Sequence, residues 1–289
     1  MNRILETIAR NMVKIGVLLV ALMIVFPWVF RSAYVLRIMT VCMMYVMIAL
    51  SINLLTGFLF LLTLGQAAFW GIGAYTAAIL STRMGLGMGL CIIASAFMAG
   101  LLSLLVALPT MRLKGYFLTV VTLGFGEIVR LVEMNWMDLT RGPLGIAAIP
   151  SPNFFGIDLS SNRQIYYVML VLVVLAALIV HSIVHSRVGL AIMVIRDDDL
   201  AAASMGVNVT KYKIMVFMIS TMIVGVAGAF YAHYINFIDP SSFTSAASTD
   251  MLVMAIFGGL GSIPGTILGA SILTILPETI RGLAQYRNL

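Results

Sequence analysis

Apolar runs long enough to cross a bilayer recur along the chain, at roughly 14–30, 36–56, 66–82, 88–109, 116–133, 165–184 and 214–235, with a glycine-broken pair near 249–260 and 265–277. A spanning helix needs about 20 mostly apolar residues. Lipid offers the backbone no hydrogen bonds, so such a segment must be a helix or part of a closed barrel. The runs are continuous rather than alternating, which selects helices. With 62% hydrophobic and 10% charged residues in 289 positions, against about 25% charged in a soluble domain, no water-soluble fold of this size hides the apolar surface. The expected fold class is therefore all-α: one polytopic transmembrane helical bundle over residues 1–289, with about eight or nine spanning helices. Thr56 to Gly65 is apolar but bracketed by glycines. It reads as a re-entrant or broken-helix piece, which survives at membrane depth only where protein or a water-filled cavity covers it.

The net charge of +6 does not point to nucleic acid, because the basic residues are scattered at helix ends. Membrane topology accounts for them. The basic start, Met1 to Lys14, precedes an apolar run, yet Phe26-Pro27-Trp28-Val29-Phe30 lacks a small-residue cleavage site, so the run reads as a retained first helix. With the N-terminus inside, alternation puts Arg3, Arg10, Lys14, Arg112, Lys114, Arg187, Arg196, Lys211 and Lys213 inside. It puts Arg31, Arg37, Arg83, Arg141 and Arg163 outside, up to the seventh helix. Nine against five favours this orientation. Residues 134–164 then form an external loop or short lid, and residues 185–213 a cytoplasmic segment. Cys42 and Cys91 fall inside apolar runs and read as packing residues rather than a disulfide.

Nothing in the chain supplies chemistry of its own. There is no GxxxxGK[ST] phosphate loop, and the glycine-rich Gly258 to Gly265 lacks a lysine. His181 and His185 are spaced for a metal, but no third ligand converges on them. The chain is thus expected to be neither an enzyme nor a cofactor or metal protein. The cytoplasmic segment is long for a helix connection, which usually takes about 2–8 residues. Within it, Asp197, Asp198 and Asp199 can cap and charge a helix start, alanines sustain the helix, and Gly206 provides a left-handed stop. Leu200, Ala203 and Met205 then offer a small apolar face. A solvated loop helix and a docking element both satisfy this pattern.

Several stretches, in order, resemble the LivM-type permeases, membrane subunits of branched-chain amino acid ABC transporters. They are Ser51 to Gly57, Leu64 to Tyr75, Thr122 to Ile128, Arg187 to Gly189 with Ile195 to Lys213, Gly228 to Ala232, Asp239 to Phe243 and Gly258 to Ser262. The likeness covers nearly the whole chain. It implies a multi-pass protein of the bacterial inner membrane, two ATP-binding cassette subunits, a second permease of similar fold and a periplasmic substrate-binding protein. By this match the ATPase-coupling element comprises Arg196, Asp197, Asp198, Leu200, Ala201, Ala202, Met205, Gly206 and Asn208. The implied cargo is leucine, isoleucine or valine, although sister permeases serve urea, short amides and other small solutes. Gln66 stands where histidine is frequent in the family, and Phe60 where glycine is frequent. Members also continue into one more apolar helix, so either a final helix is missing here or the helix count near 249–277 is off by one.

Polar groups within spanning segments are candidates for the solute path. Ser51, Asn53 and Gln66 flank the glycine-bracketed break, where amides and helix N-termini suit a zwitterion. Gly65, Gly71, Gly73 and Tyr75 complete the candidate path, although small residues equally serve helix packing. Glu127 and Arg130 are placed to pair on one helix face. An ion-coupled carrier would need acidic or histidine relays within its helices, and Glu127 alone qualifies. A membrane-embedded enzyme would need a catalytic constellation, and none assembles.

Overall fold

The computed structural model describes residues 19–30, 32–110, 117–154, 157–159 and 161–286. The basic positions Arg3, Arg10, Lys14, Arg31, Arg112 and Lys114 lie outside the described residues. The helices are α1 (Leu19–Val29), α2 (Ala33–Thr56), α3 (Gln66–Met84), α4 (Met88–Thr110), α5 (Phe117–Asn135) and the single turn α6 (Met137–Thr140). They continue as α7 (Asn162–Val184), α8 (Arg187–Asp197), α9 (Asp199–Ser204), α10 (Val209–Ile235), α11 (Ser245–Phe257) and α12 (Ile263–Tyr286). Four two-residue strands, β1 (Ile146–Ala147), β2 (Asn153–Phe154), β3 (Ile157–Asp158) and β4 (Phe237–Ile238), add small ladders, and β1 pairs antiparallel with β4. The protein is a polytopic helical membrane protein.

Among the described residues, α2, α4, α7, α10 and the Ile263–Ile280 part of α12 are long and apolar enough to cross a membrane. The runs in α3 and α5 are 19 residues each but more polar, for different reasons. Most of α3 is buried inside the bundle, so its outer faces meet protein rather than lipid. Helix α5 carries Glu127, Arg130 and Glu133. The glycine-broken pair near the end resolves into unequal pieces. Helix α11 has 13 residues, about 20 Å, which is short of a hydrocarbon core of about 30 Å.

Helix α2 is apolar all round and sits at the centre, with nearly every side chain from Cys42 to Thr56 buried. Around it pack α7, α10, α11 and α12, while α10 also packs on α3 and α4. The α3–α10–α4 contact is made through small residues. A Cβ on Gly73 would lie 2.2 Å from the Gly225 carbonyl oxygen, and one on Gly228 would lie 2.1 Å from that of Trp70. Without a hydrophobic drive between helices in lipid, close backbone approach supplies the packing energy. Cys42 and Cys91 are buried free thiols.

The 23-residue α7, about 34 Å long, separates the segment that precedes it from the segment that follows. At one end the Arg83 guanidinium donates to the carbonyls of Asp138 and Leu139, and Ile146 pairs with Ile238. The other end gathers α8, α9, the last turn of α2 and the first turn of α10, tied by the Lys213–Asp199 ion pair.

Candidate functional site

Three clusters hold the residues nominated from the sequence, apart from Gly73. The first is the broken segment after α2. The chain leaves the helix at Gly57, whose N–H donates to the Asn53 carbonyl at 2.8 Å, and stays irregular to Gly65. Threonines satisfy much of its backbone. Thr122 Oγ1 accepts the Leu64 N–H at 3.2 Å, Thr119 Oγ1 donates to the Leu62 carbonyl at 3.0 Å, and Thr56 Oγ1 donates to that of Leu61 at 3.2 Å. Phe60 stands at φ 57° with its side chain exposed. Glycine enters that backbone region without steric cost, whereas a residue with a Cβ does not. Ser51 faces α10, its hydroxyl 2.7 Å from that of Ser220. Asn53 Oδ1 accepts the N–H of Gly261 at 2.8 Å, so the break after α2 touches the break between α11 and α12.

The second cluster lies where α3 and α11 begin. Ser248, in the first turn of α11, accepts the Ala67 N–H at 2.9 Å. The two positive helix ends therefore meet inside the protein. Gln66 is fully buried there, and neither end of its amide has a hydrogen-bond partner among the described residues. Gly65 packs against α5, where a Cβ would lie 2.5 Å from the Thr122 carbonyl oxygen. A few residues along α3, the Phe243 ring contacts Trp70, Tyr75 and Tyr231, with centroids 5.0, 5.9 and 6.3 Å away. A Cβ at Gly71 would meet Glu133 Oε1 at 2.6 Å and Phe243 Cγ at 3.0 Å, so glycine admits the carboxylate. Neither oxygen of Glu133 has a hydrogen-bond partner among the described residues, nor do the Tyr75 hydroxyl and the Trp70 indole N–H.

Sequence reasoning joined Glu127 to Arg130 and stopped there. Arg130 Nε does donate to Glu127 Oε2 at 2.9 Å. Glu133 is one further step of three along the helix, and that repeated spacing was the signal for it. Gly73, in contrast, faces Gly225 in the α3–α10 contact and lies apart from both polar clusters.

The third cluster is the segment from α8 to the start of α10. The expected single short helix is two. Asp198 takes an extended conformation, φ −157°, and its carboxylate accepts the N–H groups of Leu200 and Ala201 at 2.8 and 3.1 Å. That cap starts α9, leaving Arg196 and Asp197 in the last turn of α8. Gly206, at φ 82°, follows α9, and Asn208 Oδ1 caps α10 by accepting the Lys211 N–H. Ile192, Ile195 and Ala202 face the bundle and are buried, whereas Leu200 and Met205 are 68% and 77% exposed. Arg196 Nη1 donates to the Gly57 carbonyl at 2.8 Å. A crevice of about 740 Å³ beside Tyr34, Arg37 and Tyr234 holds none of the nominated residues.

Residues 34–289 match the family model described as branched-chain amino acid transport system / permease component. The high-affinity branched-chain amino acid transport system permease protein LivM of Escherichia coli is 35% identical over 99% of this chain and 73% of its own length. Its counterpart in Salmonella typhimurium is 34% identical over the same shares. The permease protein LivH of the Escherichia coli system is 22% identical over 80% of each chain. No solved structure matches the chain. With most of its length inside the family model and an end-to-end likeness to LivM, the chain belongs to the family of permease components of branched-chain amino acid transport systems.

Proposed function

We propose that this chain is the membrane-spanning permease subunit of a binding-protein-dependent ABC importer, which moves leucine, isoleucine and valine across the bacterial inner membrane by alternating access. The observation that carries the reading is the 35% identity to LivM over 99% of the chain. Energy comes from outside the chain. One of two ATP-binding cassette subunits docks on this chain's coupling segment, Arg196 to Asn208, through Leu200 and Met205, whose apolar side chains are exposed among polar surroundings. An apolar contact at an aqueous end favours association, and the buried Ile192, Ile195 and Ala202 tie the docking helices to the bundle. A second permease of similar fold completes the membrane part, and a periplasmic binding protein delivers the cargo at the face formed by residues 134–164.

The solute path runs by the two helix breaks and the start of α3, past Ser51, Asn53, Gly65, Gln66, Gly71 and Tyr75, with Gly73 holding α3 on α10. Two helix N-termini and an unpaired amide at Gln66 suit the carboxylate of a zwitterion. The test is uptake of labelled leucine into vesicles containing the complete importer. ATP-dependent leucine accumulation, outcompeted by isoleucine and valine but not by urea, is expected. Accumulation by vesicles containing this chain alone would overturn the assignment.

A further inference from the structure

The Arg196 guanidinium sits where two interrupted membrane helices touch. Helix α2 stops at Thr56 with Gly57 as its cap. Between α11 and α12 the chain turns through Gly259 and Gly261, at φ 94° and 80°. These breaks are in direct contact: Asn53 Oδ1 accepts the Gly261 N–H at 2.8 Å, and a Cβ on Gly57 would meet the Gly261 nitrogen at 2.4 Å. Into this contact comes Arg196, from the last turn of α8. Its Nη1 donates to the Gly57 carbonyl at 2.8 Å and would lie 3.5 Å from a Cβ on Gly261.

The chemistry fits the place. Carbonyls at a helix C-terminus lack intrahelical partners and carry the negative end of the helix dipole, so a cation there is favoured. The guanidinium is permanently charged and holds its donors in a rigid fork. Two residues later Asp198 caps α9, the helix that carries exposed Leu200. A push on α9 therefore acts one short step from the guanidinium. At its far end Gly57 and Gly261, neither with a side chain of its own, meet closely with the Asn53 carboxamide oxygen at the contact.

We propose that Arg196 is a positioning residue that carries displacement of the docked α8–α9 segment to both helix breaks at once, moving the end of α2 and the α11–α12 turn as one unit. Arg196 then acts inward, on the bundle, and Leu200 and Met205 act outward, on the partner. The inference rests on the reading that this segment docks an ATPase, and the test separates the two.

The complete importer, with its partner subunits, is purified and reconstituted with wild-type chain, Arg196→Met or Arg196→Lys. ATPase retention, ATP hydrolysis and leucine uptake are then measured on each. Met keeps an unbranched apolar stem but is shorter and loses the donors. It is expected to retain the ATPase subunits and to hydrolyse ATP at close to the wild-type rate, while uptake per ATP falls about tenfold, within the usual range of coupling between sites. Lys, a shorter donor, should recover part of that loss. An unchanged ratio of uptake to hydrolysis in Arg196→Met overturns the proposal. Loss of the ATPase subunits in that variant also overturns it, by making Arg196 part of the docking surface. A wild-type chain that retains no ATPase subunit removes the docking reading instead. Should Arg196→Met fail to accumulate in the membrane, Arg196→Gln is judged by the same outcomes.

Discussion

At Phe60 the backbone takes a left-handed conformation that costs a residue with a Cβ about 1–2 kcal/mol, and the ring recovers little by packing because it is 63% exposed. Replacement by glycine removes that strain, offset by roughly 0.5–1 kcal/mol of extra chain entropy. Phe60→Gly should therefore melt slightly higher in detergent and Phe60→Val clearly lower. A lower midpoint for the glycine variant would mean that the ring packs on something outside this chain. Glu133 is the opposite case, a buried carboxylate with no hydrogen-bond partner among the described residues. Burying a charge without a partner is costly, so Glu133→Gln should not lower the melting temperature. A lowered midpoint would show that the ionised group makes a stabilising contact. Polar residues inside apolar runs nominated Ser51, Asn53 and Gln66 from sequence, because a polar group in hydrocarbon requires a reason. Their partners were not legible. Asn53 bonds Gly261, 208 positions away, and only the packed bundle establishes that contact.

Helices divide between those whose glycines mediate contacts and those whose glycines are idle. A Cβ on Gly73 would lie 2.2 Å from the Gly225 carbonyl, while one on Gly124 meets nothing within 4 Å. Gly73→Ala should thus force α3 off α10, costing about 1–3 kcal/mol as overpacking does. Gly124→Ala should be neutral or stabilising by up to about 1 kcal/mol, the helix-propensity difference. Thermal melting of both variants in one detergent checks the contrast, and equal losses would remove the packing argument for α3 and α10. Apolar run length and glycine placement made most of the long helices readable. The boundary between α8 and α9 was not, because Asp197, Asp198 and Asp199 are all competent caps. Which one leaves the helix depends on how Ile192, Ile195 and Ala202 are buried against the bundle. The shortness of α11 was hidden as well, since residues 249–260 continue the apolar pattern past Gly258, where the structure turns.

For the whole molecule, the choice of which end faces the cytoplasm decides whether the proposed docking surface on α9 could be reached by ATP-hydrolysing partners. Nine basic residues against five favoured one orientation from sequence, and six of the residues in that comparison lie outside the described structure. The fold supplies a cleaner test. Leu144, 80% exposed, and Met205, 77% exposed, lie in the segments that α7 holds apart, and the two native thiols, Cys42 and Cys91, are buried. With both thiols replaced by alanine, Leu144→Cys should react with a membrane-impermeant maleimide in cells whose outer membrane is permeabilised. Met205→Cys should react only after the inner membrane is opened, and should be shielded again when ATPase subunits are present. Reaction at the same side for both positions would break the spanning assignment of α7. Reversed accessibility would put Leu200 and Met205 in the periplasm, where no nucleotide-driven partner acts, and the coupling role of α8 and α9 would fall with it.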